Sequence, residues 1–149
     1  MKIICILFCL VGLILFSTCK KYPEGGKHWG AKNTLTSHDW YFDKRFINGV
    51  DSTPIVDSCI MFVKIHFKTI GYEYSDKSLN KWCYIAGTWD LEEHRKIISF
   101  ARVERASSKL FLFSDLEDSV NWTILKLTDE EFKLKTLHNG KEYILCFIK

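Results

Sequence analysis

The feature that most constrains the fold of this chain is a two-residue alternation of apolar and polar side chains from Trp40 onward. Such alternation places apolar side chains on one face of a β-strand and polar side chains on the other. Turn signals separate the alternating segments, and the clearest are Asn48-Gly49 and Asn139-Gly140. The pattern predicts an all-β domain over residues 38–149, with no helix in it.

Eight or nine short strands follow from this pattern. They are predicted at residues 40–46, 59–67, 71–74, 81–91, 96–103, 120–127, 132–137 and 142–148. Residues 107–119 are ambiguous because residues 110–113 are apolar on both faces. Since the turns are short and no long crossover is apparent, we expect an up-and-down antiparallel barrel rather than a sandwich.

The inward face of this barrel is the candidate binding site. On the first strand, positions 40, 42 and 46 are predicted to share a face, with Asp43 and Arg45 opposite. An eight-stranded barrel is either filled by side chains or wide enough for one small ligand, and both alternatives stay open. The predicted lining residues are Trp40, Phe42, Met61, Val63, Ile65, Phe67, Tyr72, Tyr74, Ile85, Trp89, Trp122, Ile124, Phe132 and Leu134.

Residues 1–18 resemble a secretory signal. Lys2 precedes an apolar run from Ile3 to Phe16, and lysines follow directly after Cys19. At about 1.5 Å per residue, the run spans about 21 Å, which is less than a hydrocarbon core of about 30 Å. A cysteine after small residues is typical of a lipobox, so we expect cleavage before Cys19 and acylation of its thiol. An uncleaved anchor and a signal without lipid are the alternatives.

Residues 19–37 are predicted to be an acylated N-terminus followed by a flexible tether. This segment carries Pro23, Gly25, Gly26 and Gly30 and shows little apolar periodicity, although one helical turn near its end is compatible with it. Flexible chain of this length reaches roughly 24 Å, enough to hold a domain away from the headgroups.

The cysteines do not form an obvious disulfide framework. Of the six in the chain, Cys5 and Cys9 belong to the predicted signal and Cys19 to the lipid site. If the strands pair in sequence order, the other three cysteines lie at least two strands apart, which is about 9–10 Å. A disulfide requires its two Cα atoms to lie within roughly 7 Å. We therefore expect three free thiols, at Cys59, Cys83 and Cys146.

Several stretches resemble the lipocalin-like domains of Gram-negative envelope lipoproteins. They are residues 19–25 (CKKYPEG), Trp40 followed by 48–53 (NGVDST), 87–91 (GTWDL), 122–128 (WTILKLT) and 143–149 (YILCFIK). The resemblance implies a small barrel tethered to a membrane, with no assigned activity. It departs from the Gly-x-Trp of secreted lipocalins, whose indole plugs the closed end of the barrel, because His38-Asp39 precedes Trp40. We interpret Gly87 as a bend within a strand.

Other functional classes find little support. The formal net charge of +3, with both signs interspersed, gives no case for nucleic-acid binding. No histidine stands at metal-ligand spacing to a cysteine, and the acidic pairs lie in predicted turns, so we expect no cofactor or metal. No nucleophile has a partner motif, so we do not expect an enzyme.

Two functions remain. In the first, the lipid-anchored barrel binds a small apolar ligand; in the second, a filled barrel serves as a structural or interaction protein whose partner is unknown. We expect an envelope location, on the outer membrane facing the periplasm, because Lys20 and Lys21 offer no acidic export signal. Exposure on the cell surface is the alternative.

Overall fold

A computed structural model describes residues 21–53, 63–69, 71–78, 81–102 and 119–149 of the 149-residue chain. Ten strands, one α-helix and one 3₁₀ turn are assigned in these residues. In chain order they are β1 Gly25–Gly26, α1 Ala31–Ser37, β2 Asp39–Ile47, β3 Val50–Asp51, β4 Val63–Phe67, β5 Gly71–Ser78, β6 Lys81–Glu92, the 3₁₀ turn Glu93–Arg95, β7 Ile97–Arg102, β8 Ser119–Leu127, β9 Glu131–His138 and β10 Lys141–Ile148.

Eight of these strands form a closed antiparallel barrel. From β4 to β10 each strand pairs with the next along the chain, and β2 pairs with both β4 and β10. The two remaining strands are short additions, with β3 on β2 and β1 parallel to β8. The prediction of an up-and-down, eight-stranded barrel is therefore confirmed.

The predicted Asn-Gly turns are confirmed by the backbone. Asn48 and Gly49 have φ values of 51° and 77°, and Asn139 and Gly140 have 49° and 74°. Two successive positive φ values match the right-handed twist of the flanking strands, and Asn and Gly adopt them at low cost.

The two ends of the barrel differ in what covers them. At the helix end, where β2 begins and β10 finishes, α1 packs on the barrel and buries Ala31 and Leu35. At the loop end, β2 finishes and β10 begins. The connections through residues 54–62 and 103–118 leave from the loop end and lie outside the described residues.

The expectation of a flexible tether is wrong for residues 21–37. Tyr22 is buried, and its hydroxyl donates to the Arg95 carbonyl oxygen at 2.8 Å. His28 is buried against the Tyr22 ring, and α1 follows. Apolar periodicity is weak here because few side chains make the contact, but those few are fully covered by the barrel.

β1 attaches this segment through a bulge in β8. The register between β8 and β9 shifts after Ile124, so that Leu125 is an extra residue. Its carbonyl oxygen accepts the Glu24 amide hydrogen at 2.8 Å. A Cβ on Gly26 would lie 1.7 Å from the Leu127 carbonyl oxygen, so this close approach requires glycine.

A second bulge reverses the phase of β2. Phe147 pairs with Phe42 whereas Cys146 pairs with Lys44, which leaves Asp43 as the extra residue. Because one inserted residue exchanges the two faces of a strand, Arg45 pairs with the buried Leu145 on the interior face. The predicted faces of Arg45 and position 46 are therefore wrong beyond the bulge.

Gly87 makes room for an aromatic ring. A Cβ at this position would lie 2.4 Å from Cε1 of Tyr72 and 2.4 Å from the Ala101 carbonyl oxygen. Gly87 pairs with Tyr72 on β5 within a continuous strand. The interpretation as a bend is corrected: the glycine permits the ring to lie flat across β6.

Several predictions fall on residues outside those described. They concern Cys19 and the signal, Cys59, Met61 and the ambiguous residues 107–118. Among the described residues, no helix is long and apolar enough to cross a bilayer.

Candidate ligand site in the barrel interior

The structure brings most of the predicted lining residues into one core. Nine of them are buried in the interior cluster, namely Trp40, Ile65, Phe67, Tyr72, Trp89, Trp122, Ile124, Phe132 and Leu134. Phe42 is half-buried and packs against this cluster. For Val63, Tyr74 and Ile85 the backbone is described, and Tyr74 is in register with both Ile65 and Ile85.

Aromatic rings fill the helix end of the interior. The centroid of Phe132 lies 5.5 Å from that of Trp40, 6.0 Å from that of Phe67 and 5.7 Å from that of Phe147. Phe67 also meets Trp89 edge-on at 5.3 Å. These spacings are those of directly packed rings, so side chains occupy this part of the barrel.

Two indoles at the helix end also satisfy backbone carbonyls. Trp40 is completely buried, and its Nε1 donates to the Leu35 carbonyl oxygen of α1 at 3.1 Å. Trp89 Nε1 donates to the carbonyl oxygens of Lys68 and Gly71 at 2.9 and 3.0 Å. A buried N–H without a partner would be costly, so these bonds tie α1 and the turn after β4 to the core.

The interior toward the loop end is more polar. Arg45 lies on the interior face in register with Leu145, and its Nε donates to the Ser52 carbonyl oxygen at 3.2 Å. Thr136 and Tyr143 are paired and buried one step farther along, and the Thr136 hydroxyl donates to the Asn121 carbonyl oxygen at 2.9 Å.

Some apolar side chains of the interior are only partly buried. The partly buried residues that pack against the core are Phe42, Ile47, Leu91, Phe100 and Val120. Two of them, Ile47 and Val120, lie at the loop end of their strands, whereas Phe42 pairs with Phe147 and Phe100 pairs with Trp89 at the helix end. The loop-end interior thus combines exposed apolar surface with a guanidinium.

Sequence analysis missed Arg45, Thr136 and Tyr143 as interior residues. Thr136 and Tyr143 continue the alternation of their strands, so an extension of the same pattern would have found them. Arg45 is different, because strict alternation puts it outside. Only the register shift at Asp43 reveals its position.

A carboxylate on the outer face joins β2 to β4. Asp39 Oδ1 lies 2.7 Å from His66 Nδ1, and Asp39 Oδ2 lies 2.5 Å from Lys64 Nζ. Partial burial raises the pKa of Asp39, but these two bonds outweigh it and hold the pKa below its usual value. The Asp39 carboxylate is half-exposed, and its role is to hold β2 and β4 together.

Cys146 carries a free thiol on the outer face, as expected. Burial raises the pKa of this thiol, which disfavours the nucleophilic thiolate. Cys59 and the side chain of Cys83 lie outside the described part, so their redox state stays a prediction.

A surface pocket of about 390 Å³ lies outside the barrel wall at the helix end. It forms where β6 extends past the start of β5, and Lys32 of α1 lies 5.9 Å from the Trp89 ring centroid at its side. Its lining combines the apolar Trp89, Leu91 and Ala101 with the polar Thr88, Asp90 and Ser99. This pocket does not include the interior residues of the loop end.

Within the described ranges, no group of three or more His, Cys, Asp or Glu side chains is arranged to hold a metal ion. Comparison with known protein families and with curated proteins finds no match to this chain. The arguments about function therefore rest on the barrel itself and on the chemistry of its two ends.

Proposed function

We propose that this chain is a lipid-anchored, non-catalytic binding protein of the cell envelope, held by Cys19 at the outer membrane and facing the periplasm. Its ligand is a small molecule with an apolar body and an acidic group. The ligand enters the interior from the loop end. The observation that carries this proposal is the interior position of Arg45 beside partly exposed apolar side chains.

Arginine in this position favours an anionic group. Its guanidinium is always charged and presents a planar fork of donors that matches the two oxygens of a carboxylate. The bond from Arg45 Nε to the Ser52 carbonyl oxygen orients the guanidinium, and Arg45 also has a further interaction within the protein. A charge-assisted bond of this kind is worth about 1.5–3 kcal/mol.

The apolar body of the ligand would contact the half-buried side chains. Ile47 and Val120 at the loop end pack against the core yet retain exposed area. Covering that area yields roughly 25 cal/mol per Å². Ligand pockets commonly combine such an apolar wall with a few placed polar groups.

Binding of a fatty acid tests the proposal. Palmitate and hexadecanol are titrated into the purified protein, and into Arg45→Met and the matched variant Lys44→Met, whose altered side chain is exposed on the outer face. We expect palmitate to bind the unaltered protein and Lys44→Met alike. Arg45→Met should weaken palmitate about tenfold or more, which corresponds to about 1.4 kcal/mol, and leave hexadecanol unchanged.

Failure of palmitate and hexadecanol to bind the unaltered protein would overturn the ligand proposal. Equal loss of both ligands in Arg45→Met would show a general folding defect, and Arg45→Lys then separates charge from fork geometry. An unfolding curve in urea for each variant shows whether the variant is folded.

The anchor has its own test. Mass spectrometry of protein extracted from membranes should show residues 1–18 removed and acyl chains on Cys19. A chain that retains Met1 would contradict the anchor.

A filled barrel with a structural or interaction role is the second candidate. The packed aromatic rings around Phe132 support it, because they show that the helix end needs no ligand for its stability. Absence of small-molecule binding, together with a high unfolding free energy, would favour this alternative.

A further inference from the structure

Trp29 is held in an ordered turn with its indole in solvent. The side chain is 84% exposed, whereas its neighbours His28 and Ala31 are buried. The His28 ring lies 4.4 Å from the Tyr22 ring, and Arg95 Nη1 donates to the His28 carbonyl oxygen at 3.1 Å. The backbone that presents Trp29 is thus fixed to the helix end of the barrel.

Lysines accompany this indole. Lys21 and Lys27 face each other across an antiparallel bridge, and both are exposed. The acidic residue within residues 21–32 is Glu24, and it is paired with Lys133 at 2.6 Å. The surface formed by Lys21, Lys27 and Trp29, here called the Trp29 surface, is therefore positively charged.

The predicted lipid site lies very near this surface. Lys21 is two positions after Cys19, and extended chain spans at most about 7 Å over that length. Residues 21–37 pack on the barrel, so they provide no spacer. This reach is similar to the thickness of one headgroup layer, because a bilayer of about 40–45 Å contains a hydrocarbon core of about 30 Å.

From these three observations we propose that the Trp29 surface contacts the membrane, with the indole at the headgroup level and the lysines against anionic phospholipids. Tryptophan favours this layer because its ring is apolar and its N–H is polar. Lysines near an anionic surface add electrostatic attraction. The inference rests on the proposed lipid anchor and adds an orientation: the helix end faces the bilayer, and the loop end with Arg45 faces away from it.

Quenching by brominated phospholipids tests this orientation. The acylated protein is reconstituted into vesicles of phosphatidylcholine and phosphatidylglycerol whose acyl chains carry bromine near the headgroup. We expect the emission of the unaltered protein to be quenched, and this quenching to be largely lost in Trp29→Ser. The other four tryptophans, Trp40, Trp82, Trp89 and Trp122, are present in both proteins and contribute the same background to each.

Leu137→Ser is the matched control, because Leu137 is 72% exposed at the loop end. It should leave quenching unchanged. Replacing both Lys21 and Lys27 by Gln should reduce quenching in vesicles that contain phosphatidylglycerol and have little effect in phosphatidylcholine alone. Unchanged urea midpoints for all variants would show that the fold is intact.

Two negative results are distinguishable. If mass spectrometry finds no acyl chain on Cys19, the proposed anchor fails and this inference fails with it. If the protein is acylated and Trp29→Ser is quenched as strongly as the unaltered protein, the anchor stands and the membrane contact of Trp29 is overturned.

Discussion

The helix end and the loop end of the barrel use the same strands for different purposes. At the helix end, Trp40, Phe67, Phe132 and Phe147 are fully buried and packed ring against ring, under the cover of α1. Toward the loop end, the interior face carries Arg45 and the half-buried Ile47 and Val120. The helix end is closely packed with aromatic rings, whereas the loop end places a charged group on the interior face.

The difference arises from single inserted residues rather than from a change in strand composition. Asp43 is an extra residue in β2 and reverses which side chains face inward beyond it. Leu125 is an extra residue in β8 and frees a carbonyl oxygen to which the N-terminal segment attaches. Bulges of this kind redirect side chains without ending the sheet.

The largest expected effect compares truncation to alanine at the two ends. Phe132→Ala should lower the free energy of unfolding by about 3–5 kcal/mol, because a fully packed ring leaves a cavity. Ile47→Ala, at the loop end, should cost only about 1–2 kcal/mol, since this side chain is half-buried. Urea unfolding of both variants measures the difference, and equal losses would contradict the contrast between the ends.

A second prediction asks whether the N-terminal segment is part of the helix end. Gly26→Ala should cost about 2–4 kcal/mol, because it combines a left-handed φ of 91° with a Cβ contact at 1.7 Å. Gly30→Ala, with a φ of 83° and open space around it, should cost only about 1–2 kcal/mol. Faster hydrogen exchange of the Glu24 amide in Gly26→Ala would show that the loss of stability arises where the N-terminal segment meets β8. Similar costs for both variants would disprove the close approach of Gly26 to Leu127.

The third prediction concerns Tyr22 at high pH. Burial raises the pKa of Tyr22 from 10.0 to about 12, although Arg95 opposes this. Since the folded state holds the proton more tightly, the stabilisation is complete below about pH 10 and is lost as pH rises from about 10 to 12. Relative to Tyr22→Phe, the unaltered protein should lose about 1–2 kcal/mol over this range.

The measurement is the urea midpoint of both proteins at several pH values, so that the shared titration of lysines cancels. Below pH 10, Tyr22→Phe should be less stable by about 1 kcal/mol, because the bond to the Arg95 carbonyl oxygen is lost. Parallel pH profiles would mean that Tyr22 is not buried by the helix end.

The smallest effect is expected at Asp39. Lys64 and His66 hold the pKa of Asp39 below its usual value despite partial burial. The carboxylate therefore stabilises the fold above about pH 4, and this stabilisation is lost as pH falls through the lowered pKa. Asp39→Asn should cost at most about 1 kcal/mol at neutral pH, as for other half-exposed pairs. The matched control is Asp43→Asn, which removes an exposed carboxylate on the same strand.

Much of the barrel could be predicted because its signals are local. Alternation over five or more residues identifies strands such as β9 and β10, and Asn139-Gly140 identifies the turn between them. The lining residues at the helix end, Trp40 and Phe132 among them, follow from the same period. Each of these inferences needs only neighbours along the chain.

The missed features need a partner strand. Tyr22 and His28 sit in a segment rich in glycine that has no visible period, and only contact with β8 and the 3₁₀ turn gives them a buried surface. Gly87 is explained by the ring of Tyr72 on another strand. Nothing within a few residues of either position indicates these contacts.

The alternating sequence by itself determined that this chain forms short antiparallel strands with defined turns, because period and turn chemistry act within a few residues. Tertiary structure alone decided where the register slips, and therefore that Arg45 faces the interior and that residues 21–37 close the helix end. The physical reason is that register is a property of two strands together, and a slip of one residue exchanges core and surface.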